Sequence, residues 1–188
     1  MKVLSTSIEG VFIFIPDIFE DSRGYFFESY SKRKLDPYVG NIEFVQDNES
    51  CSSFGVVRGL HFQAPPFSQA KLVRCIKGMV KDIAVDIRKG SPTYGKYVEI
   101  ILSEENKHQL FIPHGFAHGF EVLSDTAIFL YKCDQYYHPE TESGINLFDD
   151  TLAIKWGICR EKAILSEKDL KLPYLNDFES PFIFNHNV

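Results

Sequence analysis

Several side chains, far apart along this chain, would together suit one reaction: removal of a proton next to a carbonyl. That chemistry needs a base with a pKa near neutral, held in one tautomer by a carboxylate. It needs a cation or donor aimed at the oxygen on which enolate charge develops. Inversion also needs a second acid on the opposite face, a role that suits tyrosine. The stretch VVRGLHFQ at 56–63 offers His61, AKLV offers Lys71, and AIFLYKC at 127–133 offers Tyr131. Asp169 in LSEKDL and Asp82 in VKDIAVDI are both able to orient the imidazole, and sequence distance does not choose between them. Arg58 and His61 lie in an otherwise apolar strand, where they are costly to bury unless paired.

Short β-like runs must hold these groups. They recur at 11–16, 25–30, 56–62, 71–76, 80–87, 97–102, 109–112 and 127–133, separated by turn signals such as Asp21-Ser22-Arg23-Gly24, Pro65-Pro66 and Gly90-Ser91-Pro92. Many short strands with regular punctuation predict an antiparallel sandwich or barrel. In 56–63, regular alternation puts Val56, Arg58, Leu60 and Phe62 on one side, and Val57, Gly59, His61 and Gln63 on the other. In 80–87, Ile83, Val85 and Ile87 alternate with Asp82, Ala84 and Asp86, so the polar face meets solvent or lines a pocket. Helical pattern is confined to short pieces near 31–35 and 166–171. Residues 184–188 read as a frayed tail.

The chain has 188 residues, 44% hydrophobic and 24% charged, and no repeat or linker divides it, so residues 1–188 read as one domain. Its 17 Phe and 9 Tyr favour pleated, half-buried surfaces. A formal net charge of -6 argues against nucleic acid as a partner but leaves room for one small anion. No run approaches the length of a membrane span or a secretory core, and the four cysteines show no metal-like or disulfide-like spacing. The expectation is a soluble, cytoplasmic protein with reduced thiols and no membrane partner.

The stretch FIPHGFAHGFEVLS at 111–124 contains Pro113-x-Gly115-x-x-His118 and resembles the second motif of the cupin superfamily, in which a Pro-Gly turn delivers a histidine into a barrel mouth. Metal-binding cupins carry HxH and a downstream Glu in their first motif. Here His61-Phe62-Gln63 occupies that stretch, and Lys71 falls about where the Glu would be. A cation there repels a divalent metal, and two imidazoles alone make a weak site. The expectation is no metal and no cofactor.

Six blocks go further. DSRGYFFESY, FVQDNES, GVVRGLHFQAPP, AKLVRCIKGMVKDIAVDIRKGSPTYGKY, LSEENKHQLFIPHGFAHGFEVLS and LYKCDQYYHPETESGI resemble, in order, the dTDP-4-dehydrorhamnose 3,5-epimerase family. The resemblance implies an all-β, cupin-like (jelly-roll, double-stranded β-helix) antiparallel barrel with a few short peripheral helices. It implies a homodimer in which strands of one subunit complete the sheet of the other. The implied reaction inverts carbons 3 and 5 of dTDP-4-dehydro-6-deoxy-D-glucose through enolates, without a cofactor, giving dTDP-4-dehydro-L-rhamnose for dTDP-L-rhamnose biosynthesis. By this resemblance His61 is the proton acceptor, Tyr131 the proton donor, Asp169 the partner of His61, and Lys71 the stabiliser of the enolate at the carbon-4 oxygen. Substrate contacts are implied for Arg23, Glu28, Gln46, Asp47, Asn48, Arg58, His118, Glu142 and Lys168, and Tyr137 is implied to stack on thymine.

Elementary chemistry agrees: Arg23, Arg58 and Lys168 could hold a diphosphate on an acidic protein, and an aromatic face suits a base. Which subunit's site Arg23 and Glu28 would serve is open. The chain departs from the family at Leu147-Phe148-Asp149-Asp150 and at Trp156-Gly157, neither of which touches an assigned residue. The nearest alternative is a mono-epimerase acting on carbon 3 or carbon 5 alone, which would keep His61 and Lys71 while placing Tyr131 differently. A sugar ketoisomerase, a silent nucleotide-sugar-binding module and a metal-dependent cupin oxygenase fit the full residue set less well.

Overall fold

Alternate residues in the apolar runs find burial on two different faces, and this drives the chain into stacked sheets. The computed structural model describes residues 1–185. Its strands are β1 (Lys2–Ser5), β2 (Phe12–Ile15), β3 (Phe19–Asp21), β4 (Gly24–Phe26), β5 (Gln46–Ser53), β6 (Val57–Gln63), β7 (Lys71–Lys77), β8 (Met79–Asp86), β9 (Tyr97–Ser103), β10 (Gln109–Ile112), β11 (Phe116–Val122), β12 (Thr126–Cys133) and β13 (Glu142–Gly144). The one α-helix among the described residues, α1, covers Lys32–Val39. A six-stranded sheet runs β1-β2-β10-β7-β12-β5, and a five-stranded sheet runs β13-β6-β11-β8-β9. Every pairing between named strands is antiparallel, as the turn signals and the cupin-like barrel expectation require.

Three apolar layers follow from period-2 patterning. Val73 and Cys75 of β7, Leu110 and Ile112 of β10, and Phe129 of β12 meet Ala84, Leu102, Phe116 and Phe120 from the other sheet. The neighbours Leu72 and Phe111 point the other way and pack with Phe14 and Leu35 beneath α1. On the outer face of the five-stranded sheet, Val57, Ile83, Val85 and Ile87 lie under a C-terminal layer that includes Ile145, Leu147 and Leu152.

Of the two outcomes expected for the polar face of β8, solvent is the one the structure overturns. This face, which carries Ala84 into the layer between the sheets, holds Asp82 and Asp86 fully buried, and Asp82 reaches His118 in the wall of the cavity described below. Asp86 accepts from the Arg88 guanidinium, Ser91 and Thr93, which together hold its carboxyl below the usual range against the opposing effect of burial. The expected helix near 31–35 extends through Pro37 to Val39, while 166–171 yields only a 3-10 turn at Asp169–Lys171. The expected strand at 25–30 stops at Phe26. Phe184, expected in a frayed tail, donates its N–H to the Lys89 carbonyl and has Arg88 over its ring; residues 186–188 lie outside the described residues.

Candidate active site

A cavity of about 630 Å³ lies between the two sheets, a size that suits a small organic ligand. Its floor and walls come from β5, β6, β7, β11 and β12, and the segment bearing Ser166 and Asp169 completes it. His61 and His118 stand on the five-stranded wall as direct cross-strand partners. Lys71 and Tyr131 stand on the six-stranded wall, with the Lys71 ammonium 5.9 Å from the centre of the Tyr131 ring.

A bulge arranges the first wall. His118 pairs with His61 and Phe120 with Arg58, so Gly119 alone faces both Gly59 and Leu60. Gly59 has φ +119°, and a Cβ there would sit 2.6 Å from the Gly119 Cα. A Cβ on Gly119 would come within 2.4 Å of the Arg58 carbonyl oxygen. Only two glycines permit this approach. The extra residue breaks the alternation expected for 56–63: Arg58 and His61 both line the cavity, while Leu60 and Phe62 turn into the C-terminal layer.

The two candidate carboxylates find different partners. His61 Nε2 lies 2.6 Å from Asp169 Oδ1, and Asp169 is 3% exposed. His118 Nε2 lies 2.9 Å from Asp82 Oδ2. Asp169 therefore orients His61, and Asp82 serves His118. A carboxylate accepts hydrogen bonds, so Nε2 donates in this contact and, in the neutral imidazole, Nδ1 carries the free lone pair. The Ser166 hydroxyl in turn accepts the Asp169 N–H at 3.1 Å.

The second wall is poised by burial. Desolvation lowers the pKa of Lys71, opposed by the nearby Cys133, Glu142 and Asp82. Desolvation first, then Cys133 and Glu142, raises the pKa of Tyr131, so its phenol keeps its proton. At the rim the Tyr137 hydroxyl donates to Glu142 Oε2 at 2.5 Å, which pushes its pKa up to about 12. Lys168 forms an ion pair with the same Glu142 oxygen. Burial works to raise the Glu142 pKa, but bonds from Lys168 and Tyr137 outweigh it and the net shift is downward.

The remaining sequence candidates divide. Gln46, Asn48, Arg58, His118, Tyr137 and Glu142 line the cavity, with Arg58 Nε donating to Ser52 Oγ at 3.1 Å. Asp47 points away from it and pairs with Lys132. Arg23 sits at the β3–β4 turn, 88% exposed and paired with Asp21, and Glu28 pairs with Lys34 beside a separate hollow. Neither reaches this chain's own cavity. The family resemblance named Gln46 and Asn48, but sequence reasoning missed that they stand on a strand, β5, and missed the cavity-lining Ser50 and the part played by Gln63. The period-2 run QDNESCSS held a strand signal, hidden because its inward face is polar rather than apolar.

Among the described residues, no three His, Cys, Asp or Glu side chains converge as a metal's ligands would. The departures noted in the C-terminal layer lie off the cavity. Leu147–Asp150 border a different hollow, and the Gly157 N–H donates to buried Glu121 at 2.8 Å, a bond proline could not make.

Comparison with known proteins gives a consistent result. A family described as dTDP-4-dehydrorhamnose 3,5-epimerase matches residues 5–177. The enzyme of that name from Shigella flexneri is 52% identical over 171 residues, covering 90% of this chain and 93% of the relative. The one from Escherichia coli K12 is 50% identical over 178 residues, covering 94% and 96%. A crystal structure of dTDP-6-deoxy-D-glucose-3,5-epimerase from Legionella pneumophila, in complex with dTDP-4-keto-L-rhamnose, superposes with a TM-score of 0.91 at 47% identity, covering 95% of this chain and 94% of that one.

Proposed function

This chain belongs to the dTDP-4-dehydrorhamnose 3,5-epimerase family, a family of isomerases, and from that membership we propose how its own side chains divide the work. His61 Nδ1 takes the proton from the carbon next to the keto group, and the bonding pair moves onto the carbon-4 oxygen. Lys71, as an ammonium ion, faces that oxygen and stabilises the enolate. Tyr131 then donates its phenolic proton to the opposite face of the same carbon as the electron pair returns from oxygen. The proton on His61 leaves to solvent, and the Tyr131 phenolate takes one back from solvent. Repetition at the second carbon inverts both centres. Inversion needs base and acid on opposite sides of the ring, and His61 and Tyr131 belong to facing sheets.

The observation that carries this reading is the 2.6 Å contact between His61 and Asp169 inside a cavity also lined by Lys71 and Tyr131. The ligand is a dTDP-linked keto-sugar, with Arg58 and Lys168 nearest to hand for its diphosphate and Tyr137 for its thymine. Incubation with dTDP-4-dehydro-6-deoxy-D-glucose in deuterated water tests the reading by proton NMR. Label at carbons 3 and 5 is expected; label at one carbon alone would indicate a mono-epimerase, and label at neither would sink the proposal.

A homodimer forms part of the same proposal. The β3–β4 hairpin joins neither large sheet among the described residues and exposes Phe19, Tyr25 and Phe26. We assign Arg23 and Glu28, carried on or beside it, to the partner's cavity. Sedimentation equilibrium at twice the monomer mass is expected, and a monomer would remove this assignment. A cytoplasmic location also belongs to this proposal and rests on four unpaired cysteines; recovery in an extracytoplasmic fraction would contradict it.

A further inference from the structure

Gln63 ends the segment in which a metal-binding cupin would place a second histidine, and the structure gives it different work. The side chain is 3% exposed and every polar atom on it is used. Nε2 donates to the Phe67 carbonyl at 2.6 Å and to the Tyr136 carbonyl at 3.1 Å. Oε1 accepts the His138 N–H at 2.7 Å. The last two groups flank Tyr137, so one carboxamide grips the backbone on both sides of that residue. The Tyr137 N–H itself donates to Gln46 Oε1 at 3.0 Å.

The grip also joins two loops. Segment 64–70 is tied to segment 134–138 by Gln69 Nε2 donating to the Gln135 carbonyl and by the Ala70 N–H donating to Asp134. Phe67 stacks on His138 with ring centres 3.6 Å apart. Tyr137 remains 52% exposed at the rim, so its backbone is fixed while its ring stays open to a ligand.

We propose that Gln63 is the positioning residue for Tyr137: it preorganises the ring that receives the nucleotide base and so sets affinity for the nucleoside diphosphate, leaving the proton-transfer groups untouched. This inference rests on the stacking role assigned to Tyr137 above. Loss of the grip leaves three part-buried backbone groups without their partner and forces the ligand to order the loop itself. Such a change weakens ground-state and transition-state binding alike, which raises KM and leaves kcat nearly unchanged.

The test uses thymidine diphosphate in calorimetric titration and the keto-sugar in steady-state kinetics, on Gln63→Ala, Gln63→Glu, Tyr137→Ala and Gln63→Ala/Tyr137→Ala. Circular dichroism establishes folding, and Gln63→Glu, which keeps the shape, carries the test should Gln63→Ala not fold. Both Gln63 variants are expected to bind the diphosphate about tenfold more weakly at neutral pH and to raise KM by a similar factor. The carboxylate that Gln63→Glu introduces repels the two carbonyls, but once protonated it regains one donor. Affinity of Gln63→Glu should therefore recover towards wild type as pH falls, while that of Gln63→Ala should not. The Gln63→Ala effect should vanish on the Tyr137→Ala background.

Wild-type affinity in both Gln63 variants, or a fall in kcat at constant KM, would overturn the proposal. If Tyr137→Ala weakens binding but the Gln63 variants do not, stacking stands and the role of Gln63 falls alone. If Tyr137→Ala binds normally, the stacking role falls first and this inference falls with it.

Discussion

His61 Nε2 and Asp169 Oδ1 are 2.6 Å apart although 108 residues separate them in the chain. The base comes from the middle of a strand, and its orienting carboxylate comes from a single 3-10 turn at Asp169–Lys171 in the irregular C-terminal layer. Docking of that layer onto the outer face of the five-stranded sheet is thus what brings Asp169 to His61.

Asp169→Asn preserves shape but removes the charge that fixes the His61 tautomer. By analogy with the serine-protease triad, where the equivalent change costs about 10⁴ in kcat, a loss of roughly three to four orders of magnitude is expected. KM should change little, because Asp169 acts on the base and not on the nucleotide. Steady-state kinetics on the keto-sugar check this, and near-wild-type kcat would remove Asp169 from its role.

Tyr131→Phe separates two steps that His61→Ala does not. The phenol is needed to return a proton, not to remove one, so Tyr131→Phe should retain wash-in of deuterium while inversion falls. His61→Ala should abolish both. Proton NMR of the sugar in deuterated water reads exchange and configuration in one experiment.

Lys71 gives the pH dependence. Its ammonium is destabilised chiefly by burial, so its folded pKa lies below the reference 10.5. The enolate needs the protonated form, so kcat/KM should fall as pH rises through that depressed value, and the alkaline limb should begin below the usual lysine range. The sign for stability is opposite. Between the folded pKa and 10.5 the unfolded chain binds more protons, so stability contributed by this group rises with pH across that window. Lys71→Ala should lower the rate by about two to three orders of magnitude, and urea melts of this variant should lose that slope.

The C-terminal layer is anchored by a buried pair, Lys81 and Glu121, 3.0 Å apart, with Glu121 also accepting the Gly157 N–H. Lys81 additionally donates to the Lys155 carbonyl at 2.5 Å. Removing one partner leaves the other charge buried and alone, so Glu121→Ala should cost about 3–5 kcal/mol in urea-melt stability. A loss below about 1 kcal/mol would mark the pair as solvent-screened.

Where apolar and β-branched residues cluster, as in β7, β8 and β12, the strands are legible in the sequence, but that both faces of β8 are buried is not. The motif blocks likewise carry most of the site, because His61, Lys71, Tyr131 and Asp169 sit in short, distinctive phrases of sequence. Two further things are not legible. The pocket strand β5 reads as polar loop because its inward residues meet a ligand cavity, not a core, and so the usual hydrophobic signature is missing. The side shared by Arg58 and His61 depends on a bulge, and a bulge is set by close approach of two backbones distant in sequence. Pairings such as Asp82 with His118 and Asp169 with His61 depend on three-dimensional reach, which spacing along the chain does not encode.

The bulge supplies the last prediction. Gly59→Ala places a methyl carbon 2.6 Å from the Gly119 Cα and 2.7 Å from the His118 carbonyl oxygen, and backbone cannot yield as a flexible side chain would. The φ of +119° adds strain for any L side chain. The two strands must part, which costs about 1–3 kcal/mol or more by overpacking and moves His61 against its partners. A displacement of about 1 Å at a reacting group costs on the order of 10² in rate, so kcat should fall by roughly that factor even at temperatures where the variant is fully folded. Gly40→Ala, just past the end of α1 and away from the cavity, serves as control: its φ is +76°, but nothing lies within 4 Å of the added Cβ. It should share the backbone strain without the clash or any shift of His61. Equal losses of kcat in the two variants would show that strain at positive φ, and not the approach of β6 to β11, accounts for the effect.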